Sequence, residues 1–303
     1  MVQHNGQVDI PRGLNLTDLM VLFKVRIVFL LLLSALGGAF VAAHGVPPAG
    51  SLSLLMVTGA LSAMGSSAIN EYIERERDAR MLRTRRRPLA SGAIARPGAV
   101  LAAAAGMIVL AVGITLVFNP ALAFFLALGA FIYVVIYTIW LKPRTSLNIV
   151  IGGAAGSCAV LSGSAAVGAW NDPGAVLLAL MLFFWTPIHF WALAIVYRED
   201  YARAGVPMLP VTTTPKTAAF WGLLHGLAAG VCAISLATSP GLGPIYFVPV
   251  GIATAMLILQ GLVLVREPTT RRAWRLFHTS NIFLAVVLIF AVAGSAFSAL
   301  FGK

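Results

Sequence analysis

The chain has 303 residues, of which 59% are apolar and only 10% charged, with a formal net charge of +11. Soluble domains are nearer half apolar and about a quarter charged, so this composition excludes a disordered chain, a secreted disulfide scaffold and an ordinary soluble enzyme. What remains is a polytopic membrane protein. Nine spans of about 20 residues each leave room for short loops but for no sizeable soluble domain.

Along the chain, an arm (1–24) precedes apolar stretches at 27–46, 51–71, 97–118, 121–141, 147–168, 174–197, 217–238, 245–265 and 277–300. Gly/Pro-rich or charged breaks separate them, among them His44–Gly50, Asn119–Pro120 and Ser239–Pro244. Each stretch is too long for a strand, and a helix satisfies its own backbone in lipid. The expected fold class is all-α, a polytopic membrane bundle of nine transmembrane helices. The first stretch follows basic residues, as a secretory signal does. Its apolar core of about 20 residues is longer than a signal core and a second span follows at once, so it reads as a retained helix.

The connections alternate between two sides. One side collects 20 of the 21 basic residues: Arg12, Lys24 and Arg26, eight arginines in the 72–96 loop, Lys142 and Arg144, three in the 198–216 loop and four in 266–276. The other side holds Lys303 alone. The positive-inside rule makes the basic side cytoplasmic, with the N-terminus in and the C-terminus out. The net charge is thus a topology signal, and nucleic acid is not an expected partner. Cys158 and Cys232 sit inside apolar stretches with no C-x-x-C pairing. They read as small buried apolar residues and say nothing of redox compartment.

Two polar constellations interrupt the pattern, both on the basic side. The first runs from Asn70 to Leu89. Asn70, Glu74 and Asp78 are spaced i, i+4, i+8, so on a helix they form one stripe, offset about 40° and rising about 6 Å per step. Arginines surround it. One reading is a solvated loop whose arginines set topology and touch anionic lipid. The other is a Mg²⁺–diphosphate site, since hard cations take oxygen ligands and guanidinium forks bind phosphate. An amide one turn inside the membrane end needs a polar partner and favours the second.

The second constellation runs from Trp185 to Pro210. His189 and Asp200 are eleven apart, three turns of a continuous helix, which would put them on one face about 16 Å apart in height. Pro187 is expected to kink the sixth span. His189 reads either as a structural histidine bonded to a neighbouring helix or as a haem ligand or acid–base group. Acidic clusters after the second and sixth spans hint at two four-helix halves plus one helix.

Together these stretches resemble the UbiA superfamily of intramembrane prenyltransferases and, within it, the protohaem IX farnesyltransferase (haem O synthase) family. That family's first motif is similar to N-x-Y-x-D-R-D-x-D-x-x-M-x-R-T-x-x-R-P-L. The chain supplies Asn70, Tyr72, Arg75, Asp78, Met81, Arg83, Thr84, Arg87, Pro88 and Leu89. The second motif, W-T-P-P-H-F-W-A-L-A followed by D-Y-x-x-A-G-V-P-M-L-P, is matched from Trp185 to Ala194 except at Ile188, and from Asp200 to Pro210. Tyr137–Gly153 is also close, and the likeness covers roughly 16–295. Glu74 and Glu76 stand where the family usually has Asp, and Val25, Ala159, Val160 and Ile188 replace prolines.

The resemblance implies a single membrane-embedded domain that transfers a farnesyl group from farnesyl diphosphate to a vinyl group of haem B. It implies a catalytic set of Asn70, Glu74, Asp78, His189 and Asp200. Mg²⁺ would sit on Asn70, Glu74, Asp78 and Asp200, and the diphosphate on Arg83, Arg87, Lys142, Arg144 and Tyr197. His189 would contact the haem iron or assist proton transfer, with His225 and His278 as alternatives. The implied setting is a cell inner membrane, since no Arg/Ser-rich leader is present, with the site on the cytoplasmic side. Implied partners are the lipid bilayer and a haem A synthase or terminal oxidase assembly. Two rivals are a UbiA-type enzyme with another acceptor, such as a quinone precursor, and a transporter. The His189 stretch and the absence of a second aspartate triplet on the sixth span speak against the first. Acids gathered at one membrane end rather than the midplane speak against the second.

Overall fold

The computed structural model describes residues 15–301; Arg12 and Lys303 of the charge pattern lie outside them. Asn15 opens the short helix α1 (Leu16–Leu22) with a capping box, accepting the Asp18 N–H while Asp18 accepts its own. The membrane helices follow as α2 (Val25–Ala42), α3 (Ala49–Asp78), α4 (Pro97–Phe118) and α5 (Pro120–Phe131), which continues as a π-helical segment, Ile132–Leu141. Next come α6 (Asn148–Gly152) with α7 (Ala154–Ala166), and α8 (Pro173–Val196). The short helices α9 (Arg198–Arg203) and α10 (Leu209–Thr212) lead to α11 (Pro215–Ser235), α12 (Gly243–Arg266) and α13 (Thr270–Phe301). Among the described residues nine helical segments are long and apolar enough to cross a membrane.

Local chemistry sets the helix starts. Pro97, Pro120, Pro173 and Pro215 occupy the first turn of their helices, where a missing N–H costs nothing. Asn119, Asp172 and Thr214 cap α5, α8 and α11 by accepting the N–H three residues on. Asn119 also donates to the Ala165 carbonyl, and Asp172 meets His44 at 3.3 Å, so these caps tie one turn to another.

Large residues such as Phe118, Phe124 and Val231 face outward, while Ala, Gly and Ser line the helix contacts. In lipid, helices gain most from close packing of small residues. Gly163 of α7 lies against the Ala35 carbonyl of α2, and Gly38 of α2 against the Val160 carbonyl of α7; a Cβ at either would collide with backbone. That crossing pins the first span to the fifth. One apolar core joins α2, α3, α5 and α7, and a larger one joins α8, α11, α12 and α13. Cys158 is buried, and both cysteines are free.

Three boundaries differ from expectation, the last helix starting at Thr270 rather than at 277. The helix α3 runs through Asp78, so the first part of the 72–96 loop is helical. The sixth span stops at Val196: Tyr197 (φ −103°, ψ 28°) leaves the helical region, and α9 restarts at Arg198. His189 and Asp200 therefore do not share one helix face. Pro187 lies within α8, which runs on past it.

Candidate active site

Asn70, Glu74 and Asp78 are all buried on the last turns of α3. Each meets a cation brought by a different element. Lys24, at the junction of α1 and α2, donates from Nζ to Asn70 Oδ1 and, at 3.1 Å, to Tyr133 Oη. Lys142, just past the π segment, pairs with Glu74. Arg87 Nη1 donates to Asp78 Oδ2 at 2.6 Å. Burial pulls the Lys24 ammonium down to about 7, with Arg87 adding repulsion and Glu74 opposing it. Burial also disfavours the Arg87 cation, but Asp78 outweighs that and the guanidinium pKa is raised.

The π segment aims this wall. Its wider turn lets Thr138 Oγ1 donate to the Tyr133 carbonyl five residues back at 2.7 Å, while the same oxygen accepts the Asn70 amide at 2.9 Å. Lys142 N–H likewise bonds the Tyr137 carbonyl at 2.8 Å, and the Lys142 ammonium lies 5.5 Å from the centre of the Tyr137 ring. Such wide turns recur at functional sites.

The segment after α3 folds back over the cluster. Thr84 Oγ1 donates to the Asp78 carbonyl at 3.0 Å, and Leu89 N–H to Glu71 Oε1 at 3.2 Å. Met81, Leu89 and Ile94 are buried beneath it. Asp200 is reached through this segment: its Oδ2 accepts the Arg83 N–H at 3.2 Å, and its other oxygen pairs with Arg203. The two constellations thus meet at one end of the bundle.

Other expected residues stand elsewhere. Arg144 is exposed and donates to the Ile139 and Trp140 carbonyls, capping the π segment rather than facing the carboxylates. The Arg83 guanidinium lies 5.2 Å from the centre of the Tyr197 ring and donates to Tyr201 Oη at 3.3 Å, on the Asp200 side. His189 is buried between Trp185 and Phe277, with Nδ1 2.9 Å from Ser280 Oγ, bracing α8 to α13. His225 bonds the Trp221 carbonyl and His278 stacks on Trp274.

Lys24, Tyr133, Thr138, Glu71 and Arg203 escaped the sequence reading. Tyr133 and Thr138 are single polar groups in an apolar run, while Lys24, Glu71 and Arg203 stood in charged stretches with nothing local to give them a role.

Among the described residues no three of His, Cys, Asp and Glu gather as a ready metal nest. The donors are nevertheless of the hard-oxygen kind that Mg²⁺ takes. Each carboxylate of the trio Glu74, Asp78 and Asp200 already holds positive charge from the protein. The oxygens fit the ion in kind, while the charge of each acid is balanced by a protein cation.

The bundle thus gathers buried carboxylates and cations at one membrane end. Residues 31–298 match the UbiA prenyltransferase family, and the chain belongs to that family. It is 41% identical over 271 residues to a protoheme IX farnesyltransferase of Metallosphaera sedula, covering 89% of this chain and 93% of that protein. A digeranylgeranylglyceryl phosphate synthase structure shares the fold with a TM-score of 0.77 at 18% identity, over 92% of this chain and 98% of that one. A UbiA homologue from Archaeoglobus fulgidus, bound to DMAPP and Mg²⁺, does so with a TM-score of 0.68 at 15% identity, over 92% and 99%.

Proposed function

We infer that the protein transfers the farnesyl group of farnesyl diphosphate to a vinyl group of haem B, giving haem O. The observation that carries this reading is the set of buried pairs Glu74–Lys142 and Asp78–Arg87, joined to Asp200 through the Arg83 N–H. The likeness to the Metallosphaera enzyme supplies the acceptor.

Asn70, Glu74, Asp78 and Asp200 would hold Mg²⁺, which when bound neutralises charge on the leaving diphosphate. Lys142 and Arg87 supply positive charge at the same place, with the Lys24 ammonium beside them at Asn70. That charge stabilises the diphosphate as the allylic C–O bond breaks and its electron pair leaves with oxygen. The apolar helix faces below keep water from the allylic cation. The vinyl π electrons then form the new C–C bond, which leaves a cation on the carbon next to the porphyrin; water adds there and gives up one proton to the released diphosphate or solvent, completing the hydroxyethylfarnesyl side chain. His189, held by Ser280 and two rings, would serve the acceptor from α8.

The one-sided basic charge supports a cytoplasmic site in a cell inner membrane. The product's class places a haem A synthase or terminal oxidase assembly next in line. The test offers membranes carrying the protein a choice of acceptors. With farnesyl diphosphate and Mg²⁺, haem B should gain one farnesyl group and one water by mass spectrometry, while a quinone precursor stays unmodified. A prenylated quinone precursor beside untouched haem would overturn the reading.

A further inference from the structure

A cavity of about 630 Å³ opens beside Asp200, between Leu82 and Arg83, the turn from Val196 to Arg203, and Thr270 at the head of α13. Its lining carries three guanidinium groups, Arg83, Arg198 and Arg203, against two carboxylates, Glu199 and Asp200. Both Asp200 oxygens are engaged, by Arg203 and by the Arg83 N–H. Arg198 Nε donates to the Pro210 carbonyl at 2.7 Å, and Glu199 is exposed at the rim. Among the described residues no carboxylate pairs with the Arg83 guanidinium, which rests on Tyr197 and Tyr201.

A run of rings leads from that guanidinium into the bundle. Ring centres are 5.9 Å apart for Tyr197–Trp274, 5.5 Å for Trp274–Phe277, 4.5 Å for Phe277–His189 and 4.3 Å for His189–Trp185. The Tyr197–Trp274 and Trp274–Phe277 pairs are edge-to-face, and Tyr197 at their outer end lines the cavity, where it can meet a conjugated ring. Surplus positive charge at the mouth suits carboxylates on one edge of that ring. Lys142 and Arg87, on the α3 side of Asp200, already provide positive charge for a diphosphate.

We propose that this cavity anchors the propionate carboxylates of the porphyrin acceptor, with Arg83 and Arg203 as their partners. The proposal rests on the porphyrin reading above and moves Arg83 from the diphosphate to the acceptor. Tyr197, which lines the cavity, then stands beside the porphyrin, with the carboxylates at the aqueous end.

The test is equilibrium binding to the solubilised full-length protein without farnesyl diphosphate, read by the haem absorption band. The probes are haem B and its dimethyl ester. The wild type should bind the free acid about tenfold more tightly than the ester, the scale of a charge-assisted hydrogen bond. Arg83→Gln and Arg203→Gln should each lose most of that preference while still binding the ester, which shows that they are folded; Arg203→Lys should keep part of it. An unchanged preference in both glutamine variants overturns the proposal. So does a preference that exists only when anionic lipid is present, or an Arg83→Gln defect confined to a farnesyl diphosphate analogue. Equal binding of acid and ester by the wild type overturns the anchoring alone. No porphyrin binding by the wild type overturns the function proposed above as well.

Discussion

Lys142 and Glu74 show what one residue does here. Both are withdrawn from water, and a buried pair that loses one partner leaves the other charge uncompensated. Lys142→Ala should therefore lower stability by about 3 kcal/mol and stop prenyl transfer. Adding Glu74→Gln should recover most of the stability but none of the transfer. Thermal unfolding in detergent beside the transfer assay separates the two effects; a Lys142→Ala protein as stable as the wild type would show that the pair is solvated. At this scale the sequence was readable where spacing carried the information. Asn70, Glu74 and Asp78 fall on one buried stripe, as their i, i+4, i+8 pattern requires. Arg144 was not readable, because charge and position alone cannot say whether an arginine turns to a carboxylate or to the carbonyls of its own helix. The pairing of Asn70 with Lys24 and Thr138 joins positions 46 and 68 residues away, and no local pattern encodes it.

Among the elements, the α2–α7 crossing and the π segment position the site. Gly163→Ala should disrupt the crossing, because its Cβ meets the Ala35 carbonyl and the Ala39 nitrogen. Gly113→Ala, with open space around it, should leave folding intact or gain about 1 kcal/mol of helix propensity. Yield of monodisperse protein after detergent extraction checks both, and equal yields would count against backbone contact at Gly163. Deleting Val135 from the π segment should restore α-helical winding. That would break the five-residue bonds from Thr138 to Tyr133 and from Lys142 to Tyr137, which hold Asn70 and aim Lys142. The variant should still insert and yet lose transfer. Retained transfer would mean that the wide turn does not aim the lysine. Neither feature was legible beforehand. An apolar run looks the same whether it winds as α or π, and the break at Tyr197 carries neither Pro nor Gly to announce it.

For the whole molecule, the apolar runs marked all nine spans, since hydrocarbon thickness and backbone satisfaction leave little else for them to do, although α3 runs on to Asp78 and α13 starts at Thr270, beyond the apolar stretches. Which spans touch was hidden, because small-residue crossings such as Gly38 on Val160 have no periodic signature. The charge asymmetry sets an orientation that reporters can read. A fusion in the 79–96 segment should report from the cytoplasm and one in the Val167–Trp170 turn from the opposite side; the reverse pattern would invert the topology. The central claim is that the α3 carboxylates and Asp200 grip one diphosphate as a unit. Calorimetric binding of a non-ionising farnesyl thiodiphosphate with Mg²⁺ tests it in the wild type, Asp78→Asn, Asp200→Asn and the double variant. Each single change should abolish most of the metal-dependent affinity, and the double should lose little more, as groups acting together do. Wild-type affinity in Asp200→Asn, or two losses that simply add, would contradict the account.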